Sequence, residues 1–167
     1  MFESYLSFLD LAYYEATFAF QDLEDNKVWK RPTDRVLSIG ELAGHIAFWE
    51  AMKFAGTNGE MDPAKCIVSG PLIDIRFQYY TTSLESTPAQ VHMEMGAHQV
   101  CSELLRVHNE AVAHLRSLNV DLTSNVPGWP DNATYDSFLK YATFHASYHV
   151  GQMYSVRQML GDVPPDN

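Results

Sequence analysis

The sequence predicts an all-α protein built as a four-helix bundle, and three observations carry that prediction. Four segments place apolar residues at the three- and four-residue spacings of amphipathic helices. Two of these segments begin with a capping-box pattern, in which residues three positions apart satisfy free backbone N–H groups. The connections between the segments differ in length and the chain carries no internal repeat, which favours a bundle over a sheet protein.

Apolar stripes predict the first two helices. The first runs roughly from Ser4 to Glu24, and its stripe consists of Leu6, Leu9, Tyr13, Ala16 and Phe20. A polar linker follows, and the second helix opens at the capping box of Ser38 and Glu41 and continues to about Phe54. One face of this second helix carries Leu42, His45, Ile46 and Trp49.

A less regular stretch separates the second helix from the third. Residues 57–86 are predicted to form an anchored crossover loop, although the alternation over 73–79 would also fit a short strand. The third helix is predicted to run without interruption from Thr87 to about Leu118, with Pro88 at its first position. Its apolar seam is assigned to Val91, Met95, Cys101, Leu105, Val112 and Leu115. His98 and His108 can be placed on that seam, whereas His92 and His114 are expected to face solvent.

The last helix is predicted over about Thr134 to Leu160, and Gly161 ends it. Gly151 within this helix is expected to allow another helix to approach closely. The unequal connections, the longest of them before the third helix, indicate that the four helices do not follow a simple up-down-up-down path.

Composition bounds the class of protein. The 167 residues fit one domain spanning 1–167, and 46% hydrophobic with 19% charged residues is typical of a globular chain. Eleven Lys and Arg stand against twenty-one Asp and Glu, a formal net charge of −10. Because this charge repels phosphate backbones and anionic lipid, we expect no nucleic-acid partner and no membrane association.

Cysteine usage and the N-terminus favour a cytoplasmic location. Cys66 and Cys101 are far apart in the sequence and form no Cys-x-x-Cys pair, so a disulfide scaffold is not expected. The first residues include Glu3 and Asp10 and no basic run, unlike a secretory signal. The longest stretch without a charged residue, 141–156, is too short and too polar to span a bilayer.

Histidines carry the chemical signal of this sequence. His145 and His149 stand four apart in the last helix, which places both imidazoles on one face, one turn apart. His45 lies in the apolar stripe of the second helix and is therefore expected to face the bundle interior. A buried imidazole needs a partner to offset its desolvation, and one shared divalent ion would serve all three rings. Hydrogen-bonded core histidines remain the alternative interpretation.

These motifs resemble the DinB/YfiT-like superfamily. The resemblance rests on the segment from Ser38 to His45 and on His145-Ala-Ser-Tyr-His149-Val-Gly-Gln152, and it extends from Trp29 to Gly161. It implies a four-helix bundle of up-down-down-up connectivity and a divalent-metal site made of His45, His145 and His149. Characterised relatives include thiol-dependent transferases and isomerases that use mycothiol or bacillithiol. By analogy with the family, and because the aromatic-rich first helix has more apolar surface than one bundle face needs, a homodimer is expected.

Three further residues are candidates for catalytic or supporting roles. Gln152, one turn past His149, could orient an imidazole or bond a ligand, and Tyr141, one turn before His145, could do the same or donate a proton. Glu41 lies one turn before His45 and could be a general base, although its capping role already explains it. Trp49 and Trp129 could line a pocket or belong to the core. A fourth metal ligand from His98 or His108 is also conceivable.

Three histidine ligands leave a coordination position open, which is typical of a reactive site. That position could activate a water or the thiolate of a low-molecular-weight thiol, and imidazole ligands suit zinc, nickel and iron alike. We therefore expect a metal-dependent enzyme acting on a small electrophilic substrate, either a thiol-dependent transferase or isomerase or a hydrolase. The alternative is a catalytically silent, metal-stabilised bundle that binds a small molecule or a protein in a stress response.

Other metal sites lack their signatures. The chain contains no His-Glu-x-x-His motif of zincin proteases and no Glu-x-x-His pair of ferritin-like di-iron bundles. A bis-histidine haem is disfavoured because His145 and His149 share one helix face. Gly-x-Ser-x-Gly and phosphate-binding glycine patterns are missing as well.

Overall fold

The computed structural model describes residues 1–56, 61–79, 84–130, 132–163 and 165. Within these ranges the chain forms helices and turns and no β-strand, so the all-α prediction is confirmed. The helices, in chain order, are α1 (Phe2–Phe20), α2 (Asp25–Val28), α3 (Ile39–Phe54), α4 (Gln90–Met93), α5 (Ala97–Ser117) and α6 (Tyr135–Met159). Short 3₁₀ turns lie at Pro63–Lys65 and Ile75–Phe77.

Four of the described helices are long and pack as the bundle. α3 packs against both α5 and α6, and α1 packs mainly against α6. The predicted capping box is present at the start of α3, where Ser38 Oγ accepts from the Glu41 amide and the Glu41 carboxylate accepts from the Ser38 amide. α3 is buried nearly all round, and only Trp49 and Lys53 among its sixteen residues are not. A helix so enclosed holds any polar side chain in a setting of low dielectric constant.

The third predicted helix is interrupted, which corrects the expectation of one element from Thr87. α4 begins after Ala89 and ends at Met93, and α5 starts afresh at Ala97. The break is held by the segment around α2: Asp25 Oδ1 accepts from the Ala97 amide at 2.7 Å, and Trp29 Nε1 donates to the Met95 carbonyl at 2.9 Å. These bonds satisfy backbone groups that the interrupted helix would otherwise leave unpaired.

Two histidine placements predicted for this region are wrong. His92 is buried, with its Nε2 2.8 Å from the Pro71 carbonyl and its Nδ1 accepting from the Ala89 amide, whereas His98 is exposed. The seam of α5 is also shifted from the predicted one, and Cys101 and Leu105 are only partly buried. The physical reason is the break, because α4 and α5 do not share one helical register. His108 is buried, as its position on the seam predicted.

His108 belongs to a charged cluster inside the bundle. Its Nδ1 lies 2.6 Å from Glu50 Oε1 on α3, its Nε2 lies 3.0 Å from Asp10 Oδ1 on α1, and its ring stacks on Tyr13 at 3.8 Å. Burial alone would lower the pKa of His108, but the two carboxylates outweigh it, and the net pKa is raised. His108 is therefore a paired core residue that joins α1, α3 and α5.

Arg157 joins α6 to the end of α1. Its buried Nη1 donates to the carbonyls of Phe18 at 3.2 Å and Gln21 at 2.8 Å, which are among the carbonyls that a helix leaves free at its C-terminus. Gly161 ends α6 in the left-handed region at φ +83°, as predicted, and the Asp162 amide then bonds back to the Arg157 carbonyl at 3.0 Å.

One further expectation concerns Gly151 in α6. Gly151 is exposed and a Cβ built there would meet no atom within 4 Å, so the predicted close helix approach at this glycine is wrong.

None of the helices in the described ranges is long and apolar enough to cross a membrane.

Replacing Arg157 with Met should destabilise the fold, because the Phe18 and Gln21 carbonyls at the end of α1 would lose the buried guanidinium that donates to them. We expect the free energy of unfolding in urea to fall by about 2 to 3 kcal/mol. Arg116→Met is the matched control, since Arg116 forms an exposed ion pair with Glu3 and should change stability by less than about 1 kcal/mol. Equal losses in the two variants would contradict the capping role of Arg157.

The His108 cluster should make stability depend on pH. The pKa of His108 is higher in the folded state than its ordinary value of 6.5. The contribution of the charged His108 to the free energy of unfolding is therefore complete below pH 6.5 and is lost as the pH rises through the folded-state pKa. The groups that face this ring are Glu50, Asp10 and Tyr13. We expect the stability advantage of the wild type over a Glu50→Gln/His108→Gln double variant to shrink as the pH rises from about 6 to about 9. Urea denaturation across this range measures it, and parallel pH profiles would contradict it.

Candidate metal centre

Three histidines from two helices converge on one point of the interior. His45 lies on α3, and His145 and His149 lie one turn apart on α6. His45 Nε2 and His145 Nε2 are 3.1 Å apart, and one nitrogen from each of the three rings lies within 4.8 Å of the others. Their ring centroids are separated by 4.5 to 5.0 Å. The side chains that the sequence singled out as metal ligands are thus brought together.

His45 is held by a backbone carbonyl. Its Nδ1 lies 2.7 Å from the carbonyl oxygen of Phe77, which can only accept, so Nδ1 carries the proton and the lone pair lies on Nε2. Gly44 permits this contact, because a Cβ there would lie 2.5 Å from the Phe77 ring. The 3₁₀ turn at Ile75–Phe77 can therefore pack directly on α3 and present its carbonyl to the imidazole.

His149 is held in the same sense by a side chain of its own helix. Its Nδ1 lies 2.6 Å from Gln152 Oε1, one turn further along α6. With the amide oxygen as acceptor, Nδ1 again carries the proton and Nε2 is left with its lone pair. Polar partners that fix the tautomer in this way are the usual outer contacts of metal-bound histidines.

All three imidazoles are neutral at ordinary pH. Burial, together with the neighbouring His149, lowers the pKa of His45 to about 4. Burial, followed by His149 and His45, lowers the pKa of His145 still more strongly, and burial also lowers that of His149. A neutral imidazole has one nitrogen lone pair available, which is the form that binds metals.

These residues fit a divalent metal ion. The His45 and His145 Nε2 atoms are too close for two lone pairs to face each other, so a proton on one ring or a shared cation must lie between them. Three neutral nitrogen donors suit Zn²⁺, Ni²⁺ and Fe²⁺, and the set leaves coordination positions for a reactant. His98 and His108 do not add a fourth ligand, because His98 is exposed and His108 is bonded to Glu50 and Asp10.

A pocket opens above the three histidines. Its volume is about 750 Å³, within the range of pockets that bind small molecules. Aromatic side chains dominate its walls, namely Trp49, Tyr79, Trp129, Phe138, Tyr141, Phe144 and Tyr148. The two tryptophans for which sequence left a choice between pocket and core therefore both line the pocket. A small molecule of apolar character would fit between these walls, directly beside the histidines.

The other predicted site residues lie in different settings. Tyr141 is on the pocket wall, stacked on His145 with ring centroids 5.9 Å apart, and it is 53% exposed. Gln152 contacts His149, as described. Glu41 is buried, and its carboxylate accepts bonds from Ser38 and from the Arg31 guanidinium, including one at 3.0 Å from Arg31 Nε. The capping role accounts for the contacts of Glu41 with Ser38, and the ion pair with Arg31 balances its buried charge.

Sequence reasoning missed two parts of the site. The Phe77 carbonyl has no sequence signature, because every residue type has a backbone carbonyl that could serve in the same position. Lys53 lines the pocket, and its Nζ lies 4.1 Å from the centre of the Tyr141 ring. A signal for Lys53 did exist, since residues 45, 49 and 53 follow one another at four-residue spacing along α3.

Comparison with known proteins agrees with this architecture. The family model described as the DinB superfamily matches residues 9–153. No curated protein and no solved structure gave a significant match. The match covers most of the chain, with all of α3 and α5, the larger part of α1 and α6 and the three converging histidines, and the chain therefore belongs to the DinB superfamily.

Proposed function

We propose that this chain is a metal-dependent enzyme that binds one divalent ion, Zn²⁺, Ni²⁺ or Fe²⁺, through His45, His145 and His149. Its substrate would be a small electrophile, and the reaction either transfer of a low-molecular-weight thiol, as in a transferase or isomerase, or hydrolysis. The observation that carries the proposal is the convergence of three neutral imidazoles at the floor of an aromatic pocket. Two of them, His45 and His149, are held through Nδ1 so that Nε2 keeps its lone pair for a ligated ion.

In such an enzyme the residues around the pocket would have distinct roles. A bound ion would act as a Lewis acid that lowers the pKa of a nucleophile, whether a water or a thiol. The Phe77 carbonyl and Gln152 hold their imidazoles in the ligating tautomer. The aromatic walls exclude water and place the substrate beside the histidines.

Tyr141 is the proposed proton donor, because it lies on the pocket wall against His145. A general-base role for Glu41 stays a prediction. Its contacts with Arg31 and Ser38 favour a structural role, since a carboxylate so bonded has little freedom to accept a further proton. The cytoplasmic location also stays a prediction, as does a homodimer, for which the exposed Phe8, Leu11 and Tyr14 on α1 offer apolar surface.

The second candidate is a metal-stabilised bundle without catalytic activity that binds a small molecule. The same pocket would serve both functions, so metal binding does not separate them. Turnover of a small electrophile, followed as loss of the electrophile with and without a low-molecular-weight thiol, does separate them, because only the enzyme would accelerate that loss above the background rate.

Metal content should depend on the three histidines. We expect about one equivalent of Zn²⁺ or Ni²⁺ per chain in the wild type after reconstitution, because the three nitrogens form one site. His45→Ala and His149→Ala should each lose most of it, since two ligands bind far more weakly than three. Mass spectrometry of the purified proteins measures the content per chain.

His98→Ala is the matched control, because His98 is exposed on α5 and should leave the metal content unchanged. Failure of the wild type to bind either metal would reject the metal centre. In that case the three histidines would be hydrogen-bonded core residues, and the binding module would replace the enzyme as the preferred function.

Gln152 should set metal affinity through His149. Gln152→Leu removes the acceptor for His149 Nδ1, and we expect the affinity for Zn²⁺ to fall about 10- to 100-fold, the usual effect of losing such a partner. Competition with a chromophoric chelator gives the dissociation constants. Gln158→Leu on the exposed side of the same helix serves as control. Equal affinities for Gln152→Leu and wild type would argue against the orienting role.

A further inference from the structure

Lys53 occupies an unusual place for a lysine. It lies two turns beyond His45 on α3, and it is one of only two residues of that helix that are partly rather than fully buried. Its Nζ sits among three aromatic rings of the pocket, 4.1 Å from the centre of Tyr141, 5.3 Å from Trp49 and 5.9 Å from Phe138. The aromatic faces hold the ammonium group at the pocket wall.

The charge of Lys53 lacks a carboxylate partner among the described residues. No salt bridge from its Nζ is found there, and the nearby Glu50 is already bonded to His108. Burial lowers the pKa of Lys53 to about 8, so the ammonium form still prevails at neutral pH.

A simpler explanation covers only part of these facts. A lysine in the last turn of α3 interacts favourably with the helix dipole, and its stem can cover apolar surface. That explanation would suit a lysine whose head group points into open water. Here the head group lies instead between the rings of a pocket that also contains the three histidines.

We propose that Lys53 binds an anionic group of the substrate, so that the pocket selects apolar or aromatic molecules carrying a carboxylate, sulfonate or phosphate. The walls supply stacking surface for the apolar body, and the ammonium group supplies the one positive side chain among the described residues that line the pocket apart from its histidines. The assignment of a substrate class rests on the proposed function, whereas binding of an anion by Lys53 requires no metal.

Binding of a matched pair of probes tests this site. The carboxylate 2-naphthoate and the neutral 2-naphthalenemethanol have the same ring system and differ in charge. Both are titrated into the full chain by calorimetry, first after treatment with a chelator and then after zinc reconstitution. The chelator-treated protein matters because a metal ion would itself attract the carboxylate.

We expect chelator-treated wild type to prefer the naphthoate, and Lys53→Met to bind it about ten-fold more weakly while binding the alcohol unchanged. Lys53→Arg keeps the charge and should retain the preference. Lys30→Met, which removes an exposed lysine outside the pocket, should behave as wild type. Thermal unfolding by circular dichroism verifies that each variant is folded.

Two results would overturn the assignment: equal affinity of wild type for both probes, or an unchanged naphthoate affinity in Lys53→Met. Metal content measured on the same samples keeps this test separate from that of the proposed function. A chain that binds no metal yet shows charge-selective binding through Lys53 would refute the metalloenzyme and leave the anion site standing.

Discussion

The hydrogen bond between His45 Nδ1 and the Phe77 carbonyl is the contact on which the site depends. It links α3 to the long connection that precedes α4, two parts of the chain 32 residues apart. Without it, the buried imidazole would lose the acceptor that fixes its tautomer. The connection would also lose one of its polar anchors on the helix, and the bond from Trp49 Nε1 to the Gln78 carbonyl is another. Gly44 makes the contact possible, since any side chain there would displace the Phe77 ring. One close approach therefore positions both a loop and a ligand.

Two polar side chains elsewhere in the interior are bonded to partners on other helices. His108 is paired with Glu50 and Asp10, and Arg157 is bonded to the carbonyls at the end of α1. Such groups offset their desolvation through contacts that join helices, and they need no ligand. The three histidines and Lys53 differ, because each presents a lone pair or a charge toward the pocket. Function is expected where polar groups face a cavity and not one another.

Much of the fold could be predicted because its signals are local. The capping box of Ser38 and Glu41 fixes the start of α3, and the spacing of His145 and His149 places both rings on one face of α6. The break between α4 and α5 could not be predicted, because its partners Asp25 and Trp29 are 72 and 66 residues away from the groups they bond. The misplacement of His92 and His98 follows from that break.

The candidate site, like the fold, could be predicted from the sequence only in part. Side chains on helical stripes could be identified from spacing, and Lys53 continues the stripe of His45 and Trp49. The orienting carbonyl of Phe77 could not, because backbone groups leave no trace in composition or periodicity. Tyr79 and Trp129 reach the pocket from loops, where no period relates a residue to a face.

The net charge of the chain and the charge of Lys53 in the pocket act on an anionic molecule over different distances. A formal net charge of −10 repels large anions such as nucleic acids at long range. At physiological ionic strength this repulsion is screened over roughly 8 Å, so it acts weakly on a small anion that diffuses to the pocket mouth. Inside, the walls are apolar and the dielectric constant is low, and a single ammonium group then interacts more strongly than the distant surface carboxylates. Under the proposed role of Lys53, such an arrangement would disfavour polyanions by their size and charge while it would admit a small apolar molecule with one negative group.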